Sequence, residues 1–368
     1  MIRKCYYIAW CLFLLFSCSE VIDLDTDEGG GQVVVDGLIN NGTEGNEVKI
    51  KRTQSGGRPP QPITGLEVFV HDDLGNTSRL VEINEPGVYT LRSDEVQRVP
   101  GRTIWLTFDL SGNSYQSNPQ TMQRLIAQDS LTWEVRLEKS VNTNGGVFEE
   151  EVVRLYANTR MLELPEEFYI RWEIEEVYNV QEAFLPPQNF LMRQAMCFIY
   201  NDLSEQEIIL LNGRIIRNFN LNNRELVARR VDRSFSLKHY FNFVQMALTR
   251  ESHDYWEKVN QLTTRSGSIF DVPPAEIPGN IVSSDPDEVV LGIFDVAQMD
   301  TARTLLTNND IRYYFEDTCY TVGAARFYQL ISVPYNCRQC VVDRGYMPQG
   351  CIDCLTLINS SFRRPSYF

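Results

Sequence analysis

The amino-acid sequence predicts a mostly β protein: an N-terminal β-sandwich, then a larger β-rich domain with one or a few short helices and a Cys-rich C-terminus. Three observations carry that prediction. Apolar and polar residues alternate at period two over many short stretches, the mark of half-buried strands. Gly, Pro and Asn clusters interrupt those stretches repeatedly up to about residue 120. Four of the nine cysteines fall within residues 337–354.

The length of 368 residues fits two domains or three, and 43% apolar with 23% charged residues is ordinary globular composition. A formal net charge of −15 argues against nucleic acid, because phosphate binding needs clustered Lys and Arg. The same charge selects no other partner by itself.

Residues 1–17 read as a lipoprotein signal peptide. Arg3 and Lys4 precede an apolar run from Cys5 to Phe16 that is too short to span a bilayer comfortably. Ser17-Cys18 follows, and a small residue directly before Cys resembles the bacterial lipobox. Cys18 is therefore expected to be acylated and to begin the mature chain. No later stretch reaches the ~18 consecutive apolar residues of a membrane span, so the protein is expected to sit on the outer membrane by its lipid. Residues 18–31 carry Glu20, Asp23, Asp25, Asp27 and Glu28 before three glycines, and read as a solvated tether. Acidic residues behind an acylated Cys resemble the surface-export signal of Bacteroidota lipoproteins, which implies the exterior face. The Asp23, Asp25, Asp27 spacing opens like an EF-hand loop, but Glu28 stands where Gly is needed and Val34 where Glu is needed.

Residues 32–120 read as the sandwich. Gln32–Ile39 is β-branched and apolar. Leu66, Val68 and Val70 alternate with Glu67 and Phe69, and Ile104, Leu106, Phe108 and Leu110 with Trp105, Thr107 and Asp109. Turn residues at 41–42, 56–60, 74–76, 86–87, 100–101 and 112–113 separate about seven strands. Glu85-Pro-Gly-Val-Tyr89 and Pro100-Gly-Arg-Thr-Ile-Trp-Leu106 resemble the carboxypeptidase-regulatory, transthyretin-like sandwich, a scaffold without chemistry of its own.

Residues 121–368 read as the second domain. Leu131, Trp133, Val135 and Leu137 alternate, as do Phe168, Ile170, Trp172 and Ile174, with a hairpin turn at Asn142–Gly146 between these stretches. Further strands are expected near 195–200, 206–211, 225–231, 235–248 and 288–295. One helix is expected over about 250–264, capped by Thr249, with Glu251 in its first turn and Tyr255, Trp256, Val259 and Leu262 as a face packed on the sheet.

Cys5 and Cys11 leave with the signal peptide and Cys18 takes lipid, so six cysteines remain: Cys197, Cys319, Cys337, Cys340, Cys351 and Cys354. An even number in an exported chain favours disulfides, with the pairing open. Cys337-x2-Cys340-x10-Cys351-x2-Cys354 is the zinc-ribbon alternative, disfavoured by compartment and by a gap shorter than the usual one.

Catalytic signatures are missing. The sequence has no Gly-x-Ser-x-Gly, His-Glu-x2-His or Gly-x4-Gly-Lys. Its three histidines read as solvent or packing residues, His71 at a strand end and His253 on the exposed side of the helix; His239 is the third. No catalytic residue, metal ligand or cofactor is assigned, and the ligand is left open.

One run is specific. Thr249–Lys258 is followed by Phe270-Asp-Val-Pro-Pro-Ala-Glu-Ile-Pro-Gly-Asn-Ile281, then Asp285-Pro286 and Leu291-Gly-Ile-Phe294. This resembles the Bacteroidota lipoprotein family catalogued as domain-of-unknown-function family 4249, as does the tail with Cys351-x2-Cys354 and Arg364-Pro-Ser-Tyr-Phe368. The resemblance implies a surface lipoprotein that accompanies a TonB-dependent outer-membrane receptor, and it brings no site residues with it. The expectation is a non-enzymatic accessory or ligand-capture subunit. A surface hydrolase of the same uptake system and a Cys-cluster metal protein are the alternatives.

Overall fold

The structure, a computed structural model, describes residues 31–311 and 342–368, apart from residues 57, 84, 142–143, 183–194, 205–207, 266–276 and 346–347. The expected signal peptide, Cys18, nearly all of the acidic tether, Cys319, Cys337, Cys340 and most of the Pro-rich run lie outside the described residues.

Period-two alternation becomes strand wherever the sequence shows it. The first unit holds β1 (Val33–Asn40), β2 (Glu47–Arg52), β3 (Gln61–Pro62), β4 (Val68–Asp72), β5 (Thr77–Glu82), β6 (Val88–Leu91), β7 (Thr103–Leu110), β8 (Asn113–Ser117) and β9 (Gln120–Thr121). In β7, Ile104, Leu106 and Phe108 point inward, and Trp105 and Thr107 are half-buried on the other face. The turn after β4 is built by Asp72, whose carboxylate accepts from the backbone N–H of Leu74, Asn76 and Gln97 at 2.9–3.0 Å. Burial opposes the charged form of Asp72, and these hydrogen bonds overcome it and hold its carboxyl below the usual range.

The second unit begins with β10 (Ala127–Val141) and β11 (Val147–Met161), a long antiparallel hairpin whose turn falls where the Asn-Gly-Gly signal stands. It continues with β12 (Tyr169–Gln181), β13 (Met196–Asp202), β14 (Ile209–Asn212), β15 (Asn220–Arg230) and β16 (Lys238–Leu248). Helix α1 (Arg250–Arg265) follows, then β17 (Ile281–Ser283), β18 (Leu291–Thr307), the single turn α2 (Gln349–Ile352) and β19 (Ser360–Ser361). Thr249 caps α1 as expected, its hydroxyl accepting from Ser252 N–H at 3.2 Å.

One path of paired strands runs β17-β8-β7-β4-β5-β6-β2-β1-β18-β16-β12-β13-β19. Its first part curls over a core of Val33, Val35, Ile50, Val70, Leu106, Tyr89 and Phe294. Its second part is covered by the separate sheet β10-β11-β15 over a core of Leu155, Trp172, Phe235, Phe241 and Phe243. β18 belongs to both. Residues 291–297 pair in parallel with β1, and residues 298–307 pair antiparallel with β16.

The seam between β1 and β18 explains the described end of the Pro-Gly-Asn run. Gly292 has φ +87°, and a Cβ there would lie 2.0 Å from the Val35 carbonyl oxygen. A Cβ on Gly279 would lie 1.8 Å from the Gly292 carbonyl oxygen. Only glycine allows these backbones to approach. Asn280 then acts as a strand substitute: its amide donates to Phe294 O and accepts from Phe294 N–H, both at 2.9 Å.

Two expectations change. β18 extends to Thr307 instead of ending near 295, held by its pairing with β16; its later residues hide this in the sequence because Thr301 and Arg303 are exposed on one face, Asp300 is exposed on the other, and no obvious apolar alternation marks the strand. His253 is buried, not exposed, with its ring 4.6 Å from that of Tyr169. The helix is rotated so that Ser252, His253 and Trp256 face the sheet.

Candidate functional site

β12 divides its side chains between two faces. Ile170, Trp172 and Ile174 face the core, so Arg171, Glu173 and Glu175 occupy the other face. Register carries that face across the sheet: Glu175 lies opposite Asn242 of β16, and Asn242 opposite Arg303 of β18. Helix α1 covers one end of this face through Trp256, which packs with Tyr169, Met246, Leu248 and Ala297. Over the other end lies a cavity of about 920 Å³.

Three parts of the chain wall it. The sheet supplies Glu175, Val177, Tyr200, Asn242, Thr301 and Arg303; the first unit supplies Glu44, Glu47, Arg92, Asp94 and Arg98; the C-terminal segment supplies Ser361 and Arg363 to Tyr367. Arg92, Arg98, Arg303, Arg363 and Arg364 thus meet Glu44, Glu47, Asp94 and Glu175, one more positive than negative group in a chain whose net charge is −15.

The floor is a connected polar network. Arg303 Nε donates to Asn242 Oδ1 at 2.7 Å, and the Asn242 amide donates to Glu175 at 3.3 Å and to the Tyr367 hydroxyl at 3.0 Å. The Arg303 guanidinium sits over the Tyr367 ring, 3.4 Å from its centroid. Burial pushes the Glu175 carboxyl up, against the Asn242 hydrogen bond and the Arg303 charge. Burial likewise pushes the Tyr367 hydroxyl up.

The C-terminal wall is fastened to the sheet. Tyr200 donates to Arg363 O at 2.7 Å, and Phe368 packs edge-on against Phe198 with centroids 5.0 Å apart. Upstream, Cys197 of β13 is bonded to Cys354, 157 residues later. Closing a loop of that length removes about 5 kcal/mol of unfolded-chain freedom in the chain-entropy description. Cys351 is disulfide-bonded as well.

The histidines sit elsewhere. His71 lies between the Thr77 and Thr107 hydroxyls at 2.9 and 2.8 Å and stacks on Trp105; burial lowers its pKa. His239 is fully buried, stacked on Phe235, with Nε2 donating to Glu176 at 3.1 Å. His253 lies near Asp254 and Glu257, the described donors close enough to share a cation; both acids are exposed and nothing else there points to an ion. No histidine reaches the cavity. The sequence alone did not single out Arg303, Asn242, Glu175 or Tyr367, because their proximity is set by register between distant strands. Only the Arg-Pro-Ser-Tyr-Phe ending stood out, through its resemblance.

Neither the curated proteins nor the solved structures contain a match to this chain. A family model described as Domain of unknown function (DUF4249) matches residues 19–303. That span takes in the first core, most of the second and all of α1, and stops before Leu306, Ile311 and the Cys-rich tail that the resemblance had included. Matched from ahead of β1 to residue 303, near the end of β18, the chain belongs to the DUF4249 family.

Proposed function

We propose that this chain is a surface-exposed outer-membrane lipoprotein, acylated at Cys18, that serves a TonB-dependent transporter as a non-enzymatic accessory or ligand-capture subunit. The observation that carries the binding role is the 920 Å³ cavity, walled by both units and the C-terminal segment and lined with side chains held in fixed positions. Cavities of this size suit small polar ligands. The three histidines, the most versatile bases at neutral pH, are engaged in packing away from it. The lipid and the acidic tether supply the location: a lipid chain anchors and the tether gives reach.

The test is a mild-detergent purification of the tagged protein from outer membranes. A stoichiometric TonB-dependent receptor in the eluate is the expected result. Cys18→Ala is expected to release the protein from the membrane fraction. Recovery of the wild-type lipoprotein alone, under conditions that preserve known membrane complexes, removes the accessory role.

A further inference from the structure

We infer that the cavity is an oxyanion site, in which Arg303 grips a carboxylate or phosphate carried by a small polar ligand. This inference rests on the ligand-capture reading above and names the chemistry of what is captured.

Three of the guanidinium groups lining the cavity are already occupied. Arg98 is committed to Asp94 and to the Gly42 carbonyl. Arg363 is paired with Glu44 at 3.0 Å. Arg364 donates to the Phe368 carbonyl oxygen. Arg303 differs: its Nε is tied to the Asn242 amide oxygen and its plane lies on the Tyr367 ring, yet among the described residues no carboxylate pairs with it. Its two terminal amino groups are therefore oriented without being used. A guanidinium fixed this way is prepared for two parallel hydrogen bonds to one oxyanion, with little side-chain freedom left to lose.

The surroundings fit an anion. Glu44 and Asp94 are neutralised by Arg363 and Arg98. Glu175 and Glu47 oppose, but Glu175 is tied to Asn242 at the floor. Arg92, on the wall supplied by the first unit, is exposed and has no ion-pair or hydrogen-bond partner among the described residues, so it can close on a second anionic group. Thr90, Thr301 and Ser366 offer hydroxyls for the rest of the ligand.

The experiment is titration calorimetry of the purified full-length lipoprotein in mild detergent with trigalacturonic acid, glucose 6-phosphate and neutral maltotriose. Saturable binding of the carboxylate or the phosphate compound, with maltotriose at least tenfold weaker, is the expected result; which anion binds identifies the source of the oxyanion. Arg303→Gln is expected to weaken that binding at least tenfold, and Arg92→Gln about threefold. Arg124→Gln, in an exposed pair with Glu163 away from the cavity, is expected to change nothing. If Arg303→Gln fails to fold, the Arg92→Gln and maltotriose comparisons still decide. Equal binding of maltotriose, or binding of neither anion, overturns the site. A protein that co-purifies with its receptor yet binds neither anion loses the oxyanion site and keeps the accessory role. One that binds an anion through Arg303 but captures no receptor does the reverse.

Discussion

Single residues in this chain reconcile charge with burial by being held from several sides. Glu176 is the clearest case: it is 1% exposed and accepts from His239, Arg229 and Asn201 at 2.8–3.1 Å. Burial by itself raises a carboxyl; the hydrogen bond and charge of His239 and the charge of Arg229 reverse that and hold Glu176 at about 2. Because the folded value lies below the ordinary one near 4.5, Glu176 stabilises the fold above that pH. The contribution, about 3 kcal/mol, is lost as pH falls toward 2. Glu176→Gln is expected to cost about 3–5 kcal/mol at pH 7, since it takes the carboxylate from His239 and leaves Arg229 only that of Asp232. It is also expected to flatten the fall in stability between pH 5 and 2.5. Urea unfolding across that range measures both; an unchanged slope sinks the assignment. In the sequence, Glu176 is one of 49 acids and nothing marks it.

Among the elements, β18 sets the architecture. Its first half completes the first unit and its second half edges the second part of the same path, paired with β16, so the register of one strand fixes where Arg303 meets Asn242. Entry of β18 beside β1 depends on Gly292. Gly292→Ala forces a Cβ onto the Val35 carbonyl at a backbone conformation unsuited to alanine. The expected loss is about 3 kcal/mol or more, in the range reserved for strained backbone and disrupted packing. Thermal unfolding of the variant checks it, and a melting temperature within a degree of wild type contradicts the steric account. The sequence did reveal that Leu291-Gly-Ile-Phe294 is unusual, but not that Val35 is what it touches.

The whole molecule is two cores on one path of strands. β17 pairs with β8, and β18 with β1, so residues far along the chain finish the sandwich. A fragment of residues 32–121 lacks Ile281, Val290, Phe294 and Val296 from its core. It is therefore expected to be largely unfolded, with poor amide dispersion by NMR, while the full chain unfolds in a single cooperative transition. A well-dispersed fragment spectrum contradicts this. The Cys197–Cys354 bond has a matching role at the other end, tying the C-terminal wall of the cavity to β13.

By itself the sequence determined what depends on near neighbours. Alternation set the strands, Thr249 the start of α1, and Asn-Gly-Gly the β10–β11 hairpin, because these are local energies that act within a few residues. The six cysteines beyond residue 18 and the glycine positions were also legible, though not what they join. Only the tertiary structure decided partners: Val35 with Gly292, Cys197 with Cys354, Arg303 with Asn242 and Tyr367. The burial of His253 belongs here too, since the rotation of α1 follows from the sheet face it meets. The physical reason is that pairing between residues far apart is chosen by which arrangement buries both cores together, and that competition has no local trace in the chain.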